Sequence, residues 1–173
     1  MLTYAEAERA LAQMYKATGK AQAGAFRGRL KHLKRLGIPL GSNPGRGKKI
    51  SYERNELWQW CFCLELSEFG IDPSLIARMV KKNWSKNFFP GFKGARNDRE
   101  ETYFCIVPEF MSASWSQPRE VLGISGVGFI QLADLPRYLD AVNHARLRIS
   151  LFSVTARIRE LEKAFSAKEE QKP

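Results

Sequence analysis

Nine Lys or Arg residues and no Asp or Glu lie between Lys20 and Lys49. Cationic side chains at that density neutralise phosphates, and without acids among them they create a field that draws in a polyanion. Residues suited to catalysis are sparse by comparison. His32 and His144 are the two histidines, so a His-dependent triad or a zinc site has little to draw upon. Cys61 and Cys63 are separated by one residue in an apolar run; on a helix they point to different faces, which suits thiols packed in a core. Cys105 stands by itself further along, without a second thiol for metal or redox sensing. Gly123, Gly126 and Gly128 are not followed by the Lys-Ser or Lys-Thr of a phosphate-cradling turn. The chain is therefore expected to be no enzyme, with no metal and no cofactor.

The +10 net charge is localised. Residues 1 to 54 hold twelve bases against three acids and residues 81 to 99 six against one, while residues 100 to 173 are nearly balanced. A solvated basic face without a partner is the alternative to a polyanion site; the absence of acids in the run weighs against it. At 173 residues the chain suits one ordinary domain or two small ones, and 44% hydrophobic content is enough for a globular core. No stretch approaches the roughly 20 apolar residues of a membrane span, and no signal-peptide pattern is found. Three irregularly spaced cysteines fit a reducing compartment. A cytoplasmic, nucleoid-associated protein without a membrane partner is expected.

The basic residues need elements to position them. Thr3 and Glu6 form a capping box that starts a first helix, continued by Tyr4, Ala7, Leu11 and Met14, with Gly19 as its C-cap. A second helix is predicted from Ala21 to Leu36. Phe26, Leu30 and Leu33 lie on one side of it; Arg27, Arg29, Lys31, His32, Lys34 and Arg35 lie on the other. Ile38 to Leu40 and Lys49 to Tyr52 are strand-like pieces around a Gly/Pro-rich tip, predicted to form a β-hairpin whose tip carries Arg46, Lys48 and Lys49. A third helix over Glu53 to Phe69 is strongly apolar, and Asp72-Pro73 caps a fourth that carries Leu75, Ile76, Met79 and Val80 into the same core.

From Lys81 to Arg99 the pattern dissolves into a basic, aromatic linker with Trp84, Phe88, Phe89 and Phe92. It suits a spacer better than a platform that stacks on unpaired bases. Tyr103 to Val107, Phe110 to Trp115 and Val127 to Leu132 have strand composition. Leu147, Leu151, Val154, Ile158, Leu161 and Phe165 step by 4, 3, 4, 3 and 4, the seam of a dimeric coiled coil. A core helix packed on its own domain is the alternative, since Val142, Ile149 and Phe152 broaden the apolar stripe.

The expected fold is mainly α with small β elements. It comprises a winged helix-turn-helix domain over residues 1–82, a small β-containing module with the aromatic linker over 83–137, and a C-terminal coiled-coil dimerisation helix over 138–168. This order resembles the MerR family of regulators. The stretch Arg29 to Ile38 resembles that family's recognition helix. Tyr52 to Leu57 is similar to the start of its third helix, and Leu66 to Val80, with Phe69-Gly70-Ile71 and Ile76, to the segment that follows. The likeness covers about residues 1 to 82. Lys31 and His32 stand where the family has an Arg-Tyr pair, and Ser51 where an arginine often stands.

The resemblance implies a homodimeric, sequence-specific transcriptional regulator that binds double-stranded DNA at a palindromic operator, with RNA polymerase as a further partner. An architectural or recombination-directionality protein and an RNA or single-strand binder are the alternatives. The DNA-contacting residues are expected to be Lys20, Gln22, Arg27, Arg29, Lys31, His32, Arg35, Arg46, Lys48, Lys49, Tyr52 and Arg54. Gln22 and Arg27 are the expected base readers, being near the start of a helix that enters the major groove.

Overall fold

A computed structural model of the chain describes residues 1–41, 50–97, 99–107, 120–121, 124–125, 127–144 and 148–169. The fold is mainly helical, with a small antiparallel sheet. It divides into two compact units, one of residues 1–89 with 157–173 and the other of residues 90–156. The boundaries thus fall at 89/90 and 156/157 rather than at 82/83 and 137/138, and the end of the chain returns to the first unit instead of standing apart.

In the first unit, α1 (Tyr4–Met14) starts at the capping box: Thr3 N–H donates to Glu6 Oε2 at 2.6 Å, and Glu6 N–H donates to Thr3 Oγ1 at 3.3 Å. Such reciprocal caps satisfy two N–H groups that the helix cannot bond itself. α1 ends before Gly19, with Lys16 in the left-handed region at φ 53°; Gly19 is the N-cap of α2 (Lys20–Arg35), not the C-cap of α1. α2 closes at Gly37, whose φ of 80° suits a residue without a Cβ. Ile38 N–H reaches back to the Leu33 carbonyl at 3.0 Å.

The β-hairpin expected of Ile38–Leu40 and Lys49–Tyr52 is not formed by the described residues. Trp60 Nε1 donates to the Ile38 carbonyl at 3.3 Å, and Leu40 N–H donates to Gln59 Oε1 at 2.7 Å. Tyr52 pairs instead with Leu2, in a single antiparallel bridge. Backbone groups need partners, and here the Trp60 and Gln59 side chains supply those that a second strand would have offered. The tip residues Arg46, Lys48 and Lys49 lie outside the described residues.

α3 (Arg54–Glu68) is the central element. All ten residues from Leu57 to Leu66 are buried, which explains why its sequence is apolar on every side. α1 contributes Ala7 and Leu11 to this core, α2 contributes Phe26, Leu30 and Leu33, and α4 (Pro73–Asn83) contributes Ile76, Met79 and Val80. Asp72 caps α4, accepting from the N–H groups of Ser74 at 2.9 Å and Leu75 at 3.3 Å.

The expected linker is helical. Trp84–Phe88 forms a π turn and α5 (Phe89–Asn97) follows. The turn lies just before Pro90, whose missing N–H makes an α-helical bond impossible there. Trp84 and Phe88 are buried around Phe62, at ring distances of 6.0 and 4.7 Å.

The second unit is built on a three-stranded antiparallel sheet in the order β4-β1-β5: β4 (Val127–Gln131), β1 (Thr102–Ile106) and β5 (Ser150–Ser153). Phe104 at the centre is in register with Phe129 on one side and Phe152 on the other. Their rings lie 5.1 and 5.6 Å away. Phe92 is edge-on to Phe129 at 5.8 Å, and at Gly91 an added methyl would collide with the Phe129 ring. A two-residue pair, β2 (Glu120–Val121) with β3 (Ile124–Ser125), and α6 (Leu135–His144) complete the described part of this unit. The strand expected over Phe110 to Trp115 lies outside the described residues.

α7 (Val154–Glu169) carries most of the expected dimer seam, and there the expectation is corrected. Val154, Ile158, Leu161 and Phe165 are between 0% and 4% exposed, buried in their own chain. Leu151 lies in strand β5 and not on the helix, and Leu147 is outside the described residues. Only four of the six seam positions lie on the helix, fewer than the three-heptad seam requires, and all four are taken up by packing within the chain. From Arg157 onward α7 is fastened to α3 by Arg157 with Glu65, and by Arg54 with Glu162.

Candidate nucleic-acid interface

α2 has six Lys or Arg residues and no acid. At about 100° per residue they divide around the helix into two flanks and an outward face. On one flank Arg27 Nε donates to Glu8 Oε1 of α1 at 2.8 Å. That hydrogen bond, and then the charge of Glu8, hold its guanidinium proton still more firmly than usual. On the other flank Arg29 Nη1 pairs with Glu68 Oε1 of α3 at 2.6 Å. Arg29 and Gln22 line an open cleft of about 740 Å³ that also contains Glu65, Glu68, Arg157 and Glu160. These acids make it a poor place for phosphate. Arg27 and Arg29 are thus each paired with a carboxylate of a neighbouring helix, and Gln22 lines the acidic cleft, which sets these three expected DNA contacts apart from the outward face.

The outward face retains Lys20, Lys31 and Arg35, all exposed. Lys34 sits on its shoulder with Nζ 4.8 Å from the centroid of the Tyr4 ring. That cation–π contact leaves the charge at the surface. His32, also exposed, is on the opposite shoulder towards Asp72. The Asp72 carboxyl is held below its usual range, chiefly by the Ser74 hydroxyl and backbone N–H, with His32 adding a smaller contribution.

Two other expected contacts are corrected. Tyr52 is 0% exposed, its ring stacked on Trp60 at 4.8 Å, so it is a core residue. Arg54 Nε lies 2.8 Å from both oxygens of Glu162, and its guanidinium covers the Phe165 ring at 4.6 Å. It fastens α7 in place, its charge matched by Glu162 within the chain. Trp84, Phe88 and Phe92 are buried as well and Phe89 is half-buried, so three of the four rings expected in a single-strand platform are packed inside.

One cation was missed. The end of the Lys81 side chain rests 3.3 Å from where a Cβ of Gly37 would be, which places its ammonium at the C-terminal end of α2. Helix α4 brings it there. Its position in a basic stretch marked it as charged, but only the packing of α4 against the end of α2 makes it part of this surface.

Among the described residues no group of three or more His, Cys, Asp or Glu could hold a metal ion. Nor is any helix of the described residues long and apolar enough to cross a membrane. Comparison with protein-family models, with curated proteins and with solved structures finds no match to the chain.

Proposed function

We propose that this chain binds double-stranded DNA through the outward face of α2, as a helix-turn-helix transcriptional regulator does. One observation carries this most: Lys20, Lys31 and Arg35 are exposed on one acid-free helix. Lys34 and Lys81 extend the positive surface towards the end of that helix. Long cations around a helix fix its register on phosphates, while side chains at the centre of the face reach base edges. The order of α1, α2, the Leu2–Tyr52 bridge, α3 and α4 is the order of helices in a helix-turn-helix domain and supports this reading.

A homodimer held by the C-terminal seam is not part of the proposal, because Val154, Ile158, Leu161 and Phe165 are occupied within their own chain. That burial favours a second reading: an architectural or recombination-directionality protein, which can act on DNA without two-fold symmetry. Bending of a bound duplex, followed by energy transfer between end labels, separates the two. A regulator that only docks leaves the transfer efficiency near that of free DNA, whereas an architectural protein raises it.

Fluorescence anisotropy with a pool of random duplexes tests the proposal. Neutralising about four to six phosphates is expected to give a slope of log K against log salt of roughly −4 to −5. Single strands should compete weakly. Equal competition by single strands, or no salt dependence, contradicts it.

A further inference from the structure

Two of the five positions along the outward face of α2 are glycine. Lys20, Gly24, Gly28, Lys31 and Arg35 follow one another at steps of 4, 4, 3 and 4, which places them in one stripe along the helix. Glycine in the interior of a helix weakens it, because the unfolded chain has more freedom to lose. Several glycines among the described residues have a visible reason for their presence, although Gly128 in β4 has neither a positive φ nor a close neighbour. Gly37 needs a positive φ, and at Gly91 a methyl would strike the Phe129 ring. Gly24 and Gly28 have neither reason: a Cβ at either would meet nothing within 4 Å.

We propose that Gly24 and Gly28 are contact residues, forming a floor without side chains on which the sugar-phosphate rim of a duplex groove rests against the helix backbone, gripped at either end by Lys20, Lys31 and Arg35. This rests on the duplex-binding function proposed above. Removing two Cβ atoms from the centre of the face lets a partner approach the helix axis more closely, as glycines do where a backbone must meet a pyrophosphate. The flanking charge selects the occupant. Three exposed cations and no acid on this helix suit a polyanion and disfavour a second basic chain of the same kind.

The test sets stability against binding in the full-length chain. Gly24→Ala and Gly28→Ala should each raise Tm by about 2–4 °C, because alanine favours the helix and no atom opposes it. Together they should weaken affinity for the random duplex pool by at least about tenfold at fixed salt. A double variant that is more stable and binds as tightly as the parent overturns the inference. Lys31→Ala with Arg35→Ala, measured in parallel, separates the two levels. If that pair loses affinity while the glycine pair does not, only the glycine floor is wrong. If neither pair changes affinity, α2 is not the duplex-binding face. A glycine pair that alters sedimentation of the free protein and leaves duplex affinity unchanged also overturns the inference, in favour of a protein helix as occupant.

Discussion

Arg27 Nε donates to Glu8 Oε1 across 2.8 Å, so a residue that looks like the natural reader of a guanine is tied to the helix before it. The Arg27 side chain is 55% exposed, and a solvent-screened surface pair of this kind adds little to stability. Its main effect is to cancel a charge beside the proposed interface. Glu8→Gln is therefore expected to tighten duplex binding about two- to fivefold at low salt and to steepen its salt dependence. Anisotropy titrations at three salt concentrations check this, and weaker binding would show that Glu8 positions Arg27 productively.

The buried carboxylate of Glu65 accepts from Tyr15 Oη at 2.8 Å and pairs with Arg157 Nε at 2.7 Å. This is how the last helix is held to the centre of the first unit. Removing Arg157 leaves a charge with a side chain only 6% exposed, and such losses cost roughly 2–4 kcal/mol. Arg157→Ala is expected to lower the urea midpoint accordingly, and Glu65→Gln in the same chain should recover part of the loss. A change below about 0.5 kcal/mol would mean that water takes the place of the guanidinium.

At Gly91 any side chain strikes the Phe129 ring, itself held between Phe92 and Phe104. Gly91→Ala is expected to destabilise the second unit by about 1–3 kcal/mol, the usual cost of overpacking. Thermal unfolding followed by near-ultraviolet circular dichroism reads it out. An unchanged midpoint would show that the ring has room to swing away.

Burial pushes the thiols of Cys61 and Cys63 far above their ordinary value of 9.0, with the nearby Glu65 adding to the shift at Cys61, and burial raises Cys105 to about 12. Above pH 9 the unfolded chain releases these protons while the folded chain keeps them. Stability should therefore be complete below about pH 9 and fall as pH rises towards the folded-state values, by up to about 1.4 kcal/mol per pH unit for each thiol. Urea midpoints between pH 7 and 10.5 measure this. Cys63→Ala should flatten the fall, and a constant midpoint over the range would contradict the burial of all three thiols.

The helices of the first unit were legible because their signals are local. The Thr3–Glu6 box, the Phe26–Leu30–Leu33 stripe and the Asp72-Pro73 cap each lie within one or two turns, and α1, α2, α3 and α4 run where they were expected. Long-range choices were less visible. The spacing from Leu147 to Phe165 satisfies a coiled-coil seam, yet a strand begins at Ser150, because the pairing of Phe152 with Phe104 depends on a segment nearly fifty residues away. The aromatic run from Trp84 to Phe92 looked unstructured because Pro90 breaks the helical pattern, and the π turn that accommodates it has no sequence period of its own. At the candidate interface the charges of α2 were plain from composition. Which of them are cancelled was not, since Glu8 and Glu68 approach from other helices.

Two-dimensional ¹H–¹⁵N correlation spectra of the full chain, titrated with duplex DNA, test the role of α2 most directly. The expected result is that the largest shifts occur at the amides of Lys20, Gly24, Gly28, Lys31 and Arg35, with those of Leu11 and Leu64 in the core almost unmoved. Shifts that leave α2 untouched while the duplex binds elsewhere would contradict the account.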